Sequence, residues 1–232
     1  MNDLAIKMPQ TDLSLVKDHC HSDDWMSKRG GKCDVCGKEY PYPSPLKLDI
    51  GCGKNKKEGY LGVDTIGFEG VDFVLDLVAK DYRSPNGGIA YPAKGHLYKA
   101  WLWETETVDE VHCSHFLEHL TGAERIHFFN ELHRVMKKDA KALIVVPHWR
   151  SGRAYGDPTH QWPPVVEMSW YYLDKNWRKD NAPHVGFECD FLATWGYSIA
   201  PHWQARSQDS QTFGLQHYCE VAQDMIATLT KR

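Results

Sequence analysis

Leu46-Lys47-Leu48-Asp49-Ile50-Gly51-Cys52-Gly53, followed at Leu61-Gly62-Val63-Asp64 by a second apolar run ending in an acid, is the stretch that decides the fold. A short apolar run bounded by glycine suits a buried parallel strand. Gly51 and Gly53 have no Cβ, so the backbone can turn sharply there and bring its N–H groups against a ligand. Asp64, at the tip of the next strand, is placed to accept hydrogen bonds from both hydroxyls of a ribose. The two segments read as the nucleoside-binding edge of an α/β sheet.

What is missing narrows the nucleoside. Dinucleotide folds place a third small residue at the sixth position of the loop, so that the next helix packs close and turns its N-terminus to a pyrophosphate. Lys56 stands there, and Gly51 to Gly59 is short for a crossover helix with its loops. Both departures disfavour a nicotinamide dinucleotide. No Gly-Lys-Ser or Gly-Lys-Thr follows a glycine at P-loop spacing either.

From Pro45 to Pro164 the chain resembles the class I S-adenosylmethionine-dependent methyltransferases, in particular their small Rossmann-like bacterial and viral members. The resemblance implies that the Asp49-Ile50-Gly51-Cys52-Gly53 loop holds the methionine part of the cofactor and Asp64 its ribose. Val71 to Leu77 is similar to the family's third strand, with Asp76 and Leu77 where adenine is contacted. Glu110 to Leu120 resembles the fourth strand and its exit loop, which carries Ser114, His115, Glu118 and His119 toward the methyl group, with capping of the next helix as the other reading of Glu118-His119. Phe129 to Lys138 and Ala142 to Pro147 resemble the helix and fifth strand that follow. The expected fold is α/β, a Rossmann-like doubly wound and mostly parallel sheet with an antiparallel last strand pair, plus an irregular N-terminal extension.

Composition agrees with a cytoplasmic enzyme. With 232 residues and 42% apolar content, the chain can bury one full core with a small appendage. No segment has the length and apolarity of a membrane span, and the first residues have no long apolar run. Seven cysteines, an odd number scattered through apolar and loop segments, argue for reduced thiols over a disulfide framework. A net charge of −4 argues against a protein that coats nucleic acid, since such binding neutralises phosphates with Lys and Arg. The basic stretch from Trp25 to Lys57 and the acidic one from Glu104 to Glu131 read first as solvated surface.

Breakers divide the chain into 1–44, the extension, and 45–232, the cofactor-binding domain with an aromatic C-terminal cap. Pro41-Tyr42-Pro43-Ser44-Pro45 is a stiff linker leading into the first strand. The glycines and prolines between Ser84 and Gly95 mark a long loop. Residues 121–137 place Ile126, Phe129, Leu132, Val135 and Met136 at helical spacing, with Thr121 as N-cap and Glu124 completing a capping box. Phe187 to Ile199 and Met225 to Leu229 are the candidate last strands.

In the extension, Cys33-Asp34-Val35-Cys36-Gly37 has the spacing of a zinc knuckle, two thiolates two residues apart with glycine at the turn. Tetrahedral zinc needs two more ligands. Cys20 with His21, or its neighbour His19, lies upstream within reach, and such a site would staple a segment too poor in apolar residues to fold alone. The alternative is a set of ordinary free thiols.

Two clusters are candidates for chemistry. Methyl transfer from a sulfonium is an in-line displacement that relies on alignment, on excluding water and, where the acceptor carries a proton, on a base. His115 is the base candidate by position, with a structural histidine as the competing reading. Asp157-Pro158-Thr159-His160-Gln161-Trp162 resembles an Asp-Pro-x-His run near the acceptor pocket of related small methyltransferases, which makes Asp157 and His160 an acid/base or orienting pair on a lid. A turn in which Asp157 caps its own backbone is the bland reading. Six of the nine tryptophans lie from Trp149 onward, either as acceptor walls or as core.

The Asn/Asp-Pro-Pro-Tyr run of amino-directed DNA methyltransferases and the Pro-Cys nucleophile of cytosine-carbon enzymes are both absent, so DNA bases are disfavoured as acceptors. Small molecules, RNA and protein remain open, as does the oligomeric state. The competing functions are another S-adenosylmethionine user, an aminopropyl transferase or cofactor-cleaving enzyme, and a noncatalytic zinc-containing binding module.

Overall fold

The computed structural model describes residues 23–32, 38–78 and 101–232. Two units are distinguished, Met1–Pro43 and Ser44–Arg232. In the first, helix α1 (Asp23–Arg29) precedes an antiparallel pair, β1 (Gly31–Lys32) and β2 (Glu39–Tyr40). The knuckle sequence falls between these two strands. Cys20, His21, Cys33 and Cys36 lie outside the described residues, as does the loop between Ser84 and Gly95.

The second unit is built around β3 (Lys47–Ile50), whose Leu48 and Ile50, with Leu46 just before it, are entirely buried. Flanking residues alternate less than in a surface strand because both faces are covered, as parallel sheets require. Parallel neighbours are β4 (Leu61–Asp64) on one side and β6 (Val108–Ser114) on the other. The full order is β5-β4-β3-β6-β7-β9-β8, with β5 at Phe73–Val74, β7 at Met136–Pro147, β8 at Phe191–Ile199 and β9 at Ala222–Lys231. Strand β9 pairs antiparallel with both β7 and β8, so the expected mostly parallel sheet with an antiparallel last pair is what forms.

This order fixes where a ligand can sit. From β3 the chain steps outward to β4 and β5, then returns to β6 on the other side of β3. The loops leaving the C-terminal ends of β3 and β6 therefore diverge, opening the crevice in which α/β sheets bind ligands.

The β3–β4 connection holds no helix. Its residues are pinned individually: Lys57 N–H donates to Asp49 at 2.7 Å, and Lys56 Nζ pairs with Asp72 at 2.8 Å. Gly62 on β4 leaves the room, since a Cβ there would lie 2.9 Å from Cys52 Sγ and 2.7 Å from the Lys56 side chain.

Helix α2 (Gly122–Val135) joins β6 to β7 and starts with the expected capping box, Thr121 N–H donating to Glu124 at 2.7 Å. Its buried face is Phe128, Phe129, Leu132 and Val135. Two details differ from the helical spacing read in the sequence. Met136 is fully buried but opens β7, and Ile126 stays partly exposed while Phe128 takes the core position. Beyond β7, short helices α3 (Arg153–Gly156), α4 (Glu167–Tyr171) and α5 (Lys175–Asn181) lead to β8, and α6 (Pro201–Gln204) and α7 (Gln208–His217) lead to β9. Among the described residues, no helix is long and apolar enough to cross a membrane.

Candidate active site

The loop after β3 has the backbone that its glycines permit. Gly51 and Gly53 have φ of +67° and +52°, in the region that L side chains rarely adopt. A Cβ on Gly51 would lie 2.8 Å from Phe116 Cβ, so this glycine admits the β6 exit loop. A Cβ on Gly53 would meet nothing within 4 Å among the described residues, so toward them that glycine faces open space. Asp64 closes the loop from β4: one carboxylate oxygen accepts Gly53 N–H at 2.8 Å and the other accepts Ile66 N–H at 3.0 Å. Each oxygen keeps a further lone-pair direction for a ligand hydroxyl.

Asp49 serves the same loop from within. Only 3% exposed, it accepts Lys57 N–H and sits 2.6 Å from His112 Nδ1 on β6. Asp49 is legible from its place in the glycine loop, whereas the partner of His112 is apparent only once β3 and β6 are paired at Asp49 and His112. Cys52 is buried under the loop, and desolvation pushes its thiol up to about 11, so it is neutral packing and not a nucleophile. Beyond β5, Asp76 accepts Val78 N–H in a tight turn and the Leu77 carbonyl accepts Trp101 Nε1–H at 3.0 Å. That places them one strand past Asp64 along the strand ends.

At the end of β6, Ser114 is followed by His115, whose φ of +54° and N–H bond to Val145 turn the chain out of the sheet. His115 Nδ1 lies 3.1 Å from Glu118 Oε1, and its Nε2 is 3.8 Å from Asp224 on β9. The Glu118 carboxylate raises the proton affinity of His115, outweighing the opposing effect of burial.

The 157–163 segment is clamped onto this exit loop. Gln161 N–H donates to the Glu118 carbonyl at 2.8 Å, and the Arg125 guanidinium donates to the Leu117 carbonyl at 3.2 Å and the Pro163 carbonyl at 2.7 Å. Asp157 caps its own turn, accepting from Thr159 N–H at 2.8 Å and Thr159 Oγ1 at 2.6 Å. His160 Nδ1 is bonded to the Ala154 carbonyl at 3.1 Å, so Asp157 and His160 are not directly paired. Their link runs through Thr159 and His119, whose ring lies edge-on to that of His160 at 4.8 Å between centroids. Arg125 carries no signal of this role in the sequence, because its carbonyl partners at Gln161 and Pro163 lie nearly forty residues on.

An apolar cleft of about 630 Å³ begins at Leu117. Phe129, Trp149, Tyr155, Trp162 and Trp170 line it, and Trp162 is 78% exposed. Trp170, 1% exposed, serves the core as well.

Comparison with curated protein sequences finds no significant match. Among solved structures, the chain is similar to an S-adenosylmethionine-dependent methyltransferase from Archaeoglobus fulgidus (17% identity, 94% of each chain covered, TM-score 0.49). One from Methanosarcina mazei shares 17% identity over 80% of this chain and 92% of its own, with a TM-score of 0.43. A TehB-like S-adenosylmethionine-dependent methyltransferase from Corynebacterium glutamicum is 15% identical over 82% of each chain, with a TM-score of 0.41. Residues 48–144, from β3 into β7, match the family model described as a methyltransferase domain. The glycine loop, the acid of β4 and the β6 exit loop all lie inside that match, so this part of the chain is similar to a methyltransferase domain.

Proposed function

We propose that the methyl acceptor is a small molecule with an apolar body, held in the cleft that begins at Leu117. The cleft's lining carries this reading. Among the described residues its one cation, Arg125, is spent on backbone carbonyls, which disfavours a phosphate chain. Aromatic walls bury a flat, apolar ligand at low entropic cost.

When bound, S-adenosylmethionine supplies an electrophilic methyl group on a sulfonium. The open face at Gly53 admits the ligand backbone, Asp64 takes the ribose hydroxyls, and Asp76 with Leu77 borders adenine. Asp49 acts one step back, holding the loop through Lys57 N–H, while Cys52 fills the space beneath. Ser114 and His115 flank the transfer path. With Nδ1–H donated to Glu118, His115 Nε2 is the lone pair that takes a proton from the acceptor. Asp157 positions Thr159 and His119, and His160 faces the acceptor side.

Incubation with labelled S-adenosylmethionine and a fractionated metabolite extract, with RNA and protein fractions in parallel, tests the assignment. Label should enter the small-molecule fraction as S-adenosylhomocysteine forms. Transfer to RNA or protein alone would overturn the acceptor class, and release of methylthioadenosine would point to aminopropyl transfer instead.

The knuckle's spacing supports a zinc ion bound by Cys33, Cys36, Cys20 and His21. Elemental analysis of untagged protein and of a Cys33→Ser variant decides it. The free thiols of Cys52, Cys113, Cys189 and Cys219 support a reducing, cytoplasmic setting.

A further inference from the structure

Glu118 carries one oxygen that the site described so far leaves unused. The residue is 5% exposed, Oε1 is engaged by His115, and Oε2 is buried with no hydrogen-bond partner among the described residues. A buried carboxylate oxygen left unpaired is costly unless something charged meets it.

Two neighbouring histidines, His119 and His160, are prepared to share a ligand with it. His160 Nδ1 faces the Ala154 carbonyl, which can only accept, so the ring proton sits on Nδ1 and Nε2 holds a lone pair. His119 Nδ1 faces Thr159 Oγ1, whose own proton goes to Asp157 Oδ1 at 2.6 Å. The hydroxyl therefore accepts from His119, and that ring also carries its proton on Nδ1. Ligand atoms of Glu118, His119 and His160 lie within 4.8 Å of one another.

We propose that Glu118, His119 and His160 bind a divalent transition-metal ion of the zinc type. Two imidazole nitrogens and one carboxylate oxygen are a donor set for zinc, cobalt or manganese rather than for magnesium or calcium, which take oxygen. A tetrahedral site with bonds of about 2.0 Å needs donors about 3.3 Å apart, so small side-chain rotations close it. The Ala154 carbonyl and the Asp157–Thr159 pair are the outer partners that orient ligating imidazoles in metal centres. Three protein ligands leave a fourth position for water or a heteroatom of the acceptor. The ion would also tie the β6 exit loop to the 157–163 segment, assigning Asp157 a positioning role at a distance.

Cobalt titration of full-length, chelator-stripped protein tests this independently of methyl transfer. Co²⁺ in this site gives visible d–d absorption without a thiolate charge-transfer band, whereas the Cys33-Cys36 knuckle gives both. The expected result is a saturable, thiolate-free band that Zn²⁺ displaces, that survives Cys33→Ser and that is lost in His160→Gln and His119→Gln with the metal-free melting temperature kept. Glu118→Gln should lose it too. A titration showing only thiolate-type absorption, or no band at all, overturns the proposal, as does a folded His160→Gln protein that retains the wild-type band.

Discussion

Asp49 on β3 and His112 on β6 meet at 2.6 Å between Oδ1 and Nδ1, across directly paired positions of two parallel strands. The other Asp49 oxygen accepts Lys57 N–H. A single buried carboxylate thus ties the loop of β3 to the strand on the far side of the crevice. Asp49→Ala leaves the His112 ring nitrogen and the Lys57 amide unpaired, a loss of about 1 to 3 kcal/mol. Urea unfolding measures it, and an unchanged midpoint would show that the pair holds nothing. Cofactor affinity should fall in the same variant, since the loop loses its anchor.

Gly51 and Gly53 are separable by substitution. At Gly51, alanine meets Phe116 at 2.8 Å and a φ of +67° together, so the variant should lose several kcal/mol and fold poorly. At Gly53, among the described residues, only the φ of +52° opposes alanine, at about 1 kcal/mol, while the new methyl enters open space. Gly53→Ala should therefore remain folded and lose the thermal shift that S-adenosylhomocysteine gives the wild type. Retention of that shift would move the cofactor away from Gly53.

Much of this was legible locally. Glycines at two fixed positions, an acid closing the next apolar run and the Thr121–Glu124 box are short-range signals, and each kept its role in the fold. What escaped was long-range. Glu118 meets Gln161 across the exit loop, and Arg153 pairs with Asp224 at a separation of 71 residues, so no spacing in the chain announces either. The boundary at Val135 was hidden for another reason: Met136 is apolar in either state, and only its pairing with Val108 makes it strand.

Asp64 has two backbone donors already, so the proposed ribose role falls to its remaining lone pairs. Asp64→Ala removes charge-assisted bonds worth about 1.5 to 3 kcal/mol, which lowers S-adenosylmethionine affinity tenfold or more. Asp64→Asn is the sharper variant. It keeps one acceptor oxygen, so its affinity should fall between wild type and alanine. Titration calorimetry ranks the three, and equal affinities would remove Asp64 from the cofactor site.

The cleft wall carries a pH dependence of its own. Glu167, at the start of α4, is held at a pKa of about 2, first by its bond with His148 and further by a backbone N–H and the Tyr197 hydroxyl, with burial opposing. Trp149 Nε1–H donates to the same carboxylate. A carboxyl whose pKa is depressed on folding adds stability above its unfolded value, near 4.5, and loses it as pH falls toward 2. Because the side chain is 32% exposed, solvent screening reduces the contribution to the order of 1 to 2 kcal/mol. Wild-type protein should therefore lose stability between about pH 5 and pH 2 more steeply than Glu167→Gln, which cannot titrate there. Urea midpoints across that window compare the two. Parallel curves would mean that Glu167 is as easily protonated folded as unfolded, and that the Trp149 wall of the cleft does not depend on its charge.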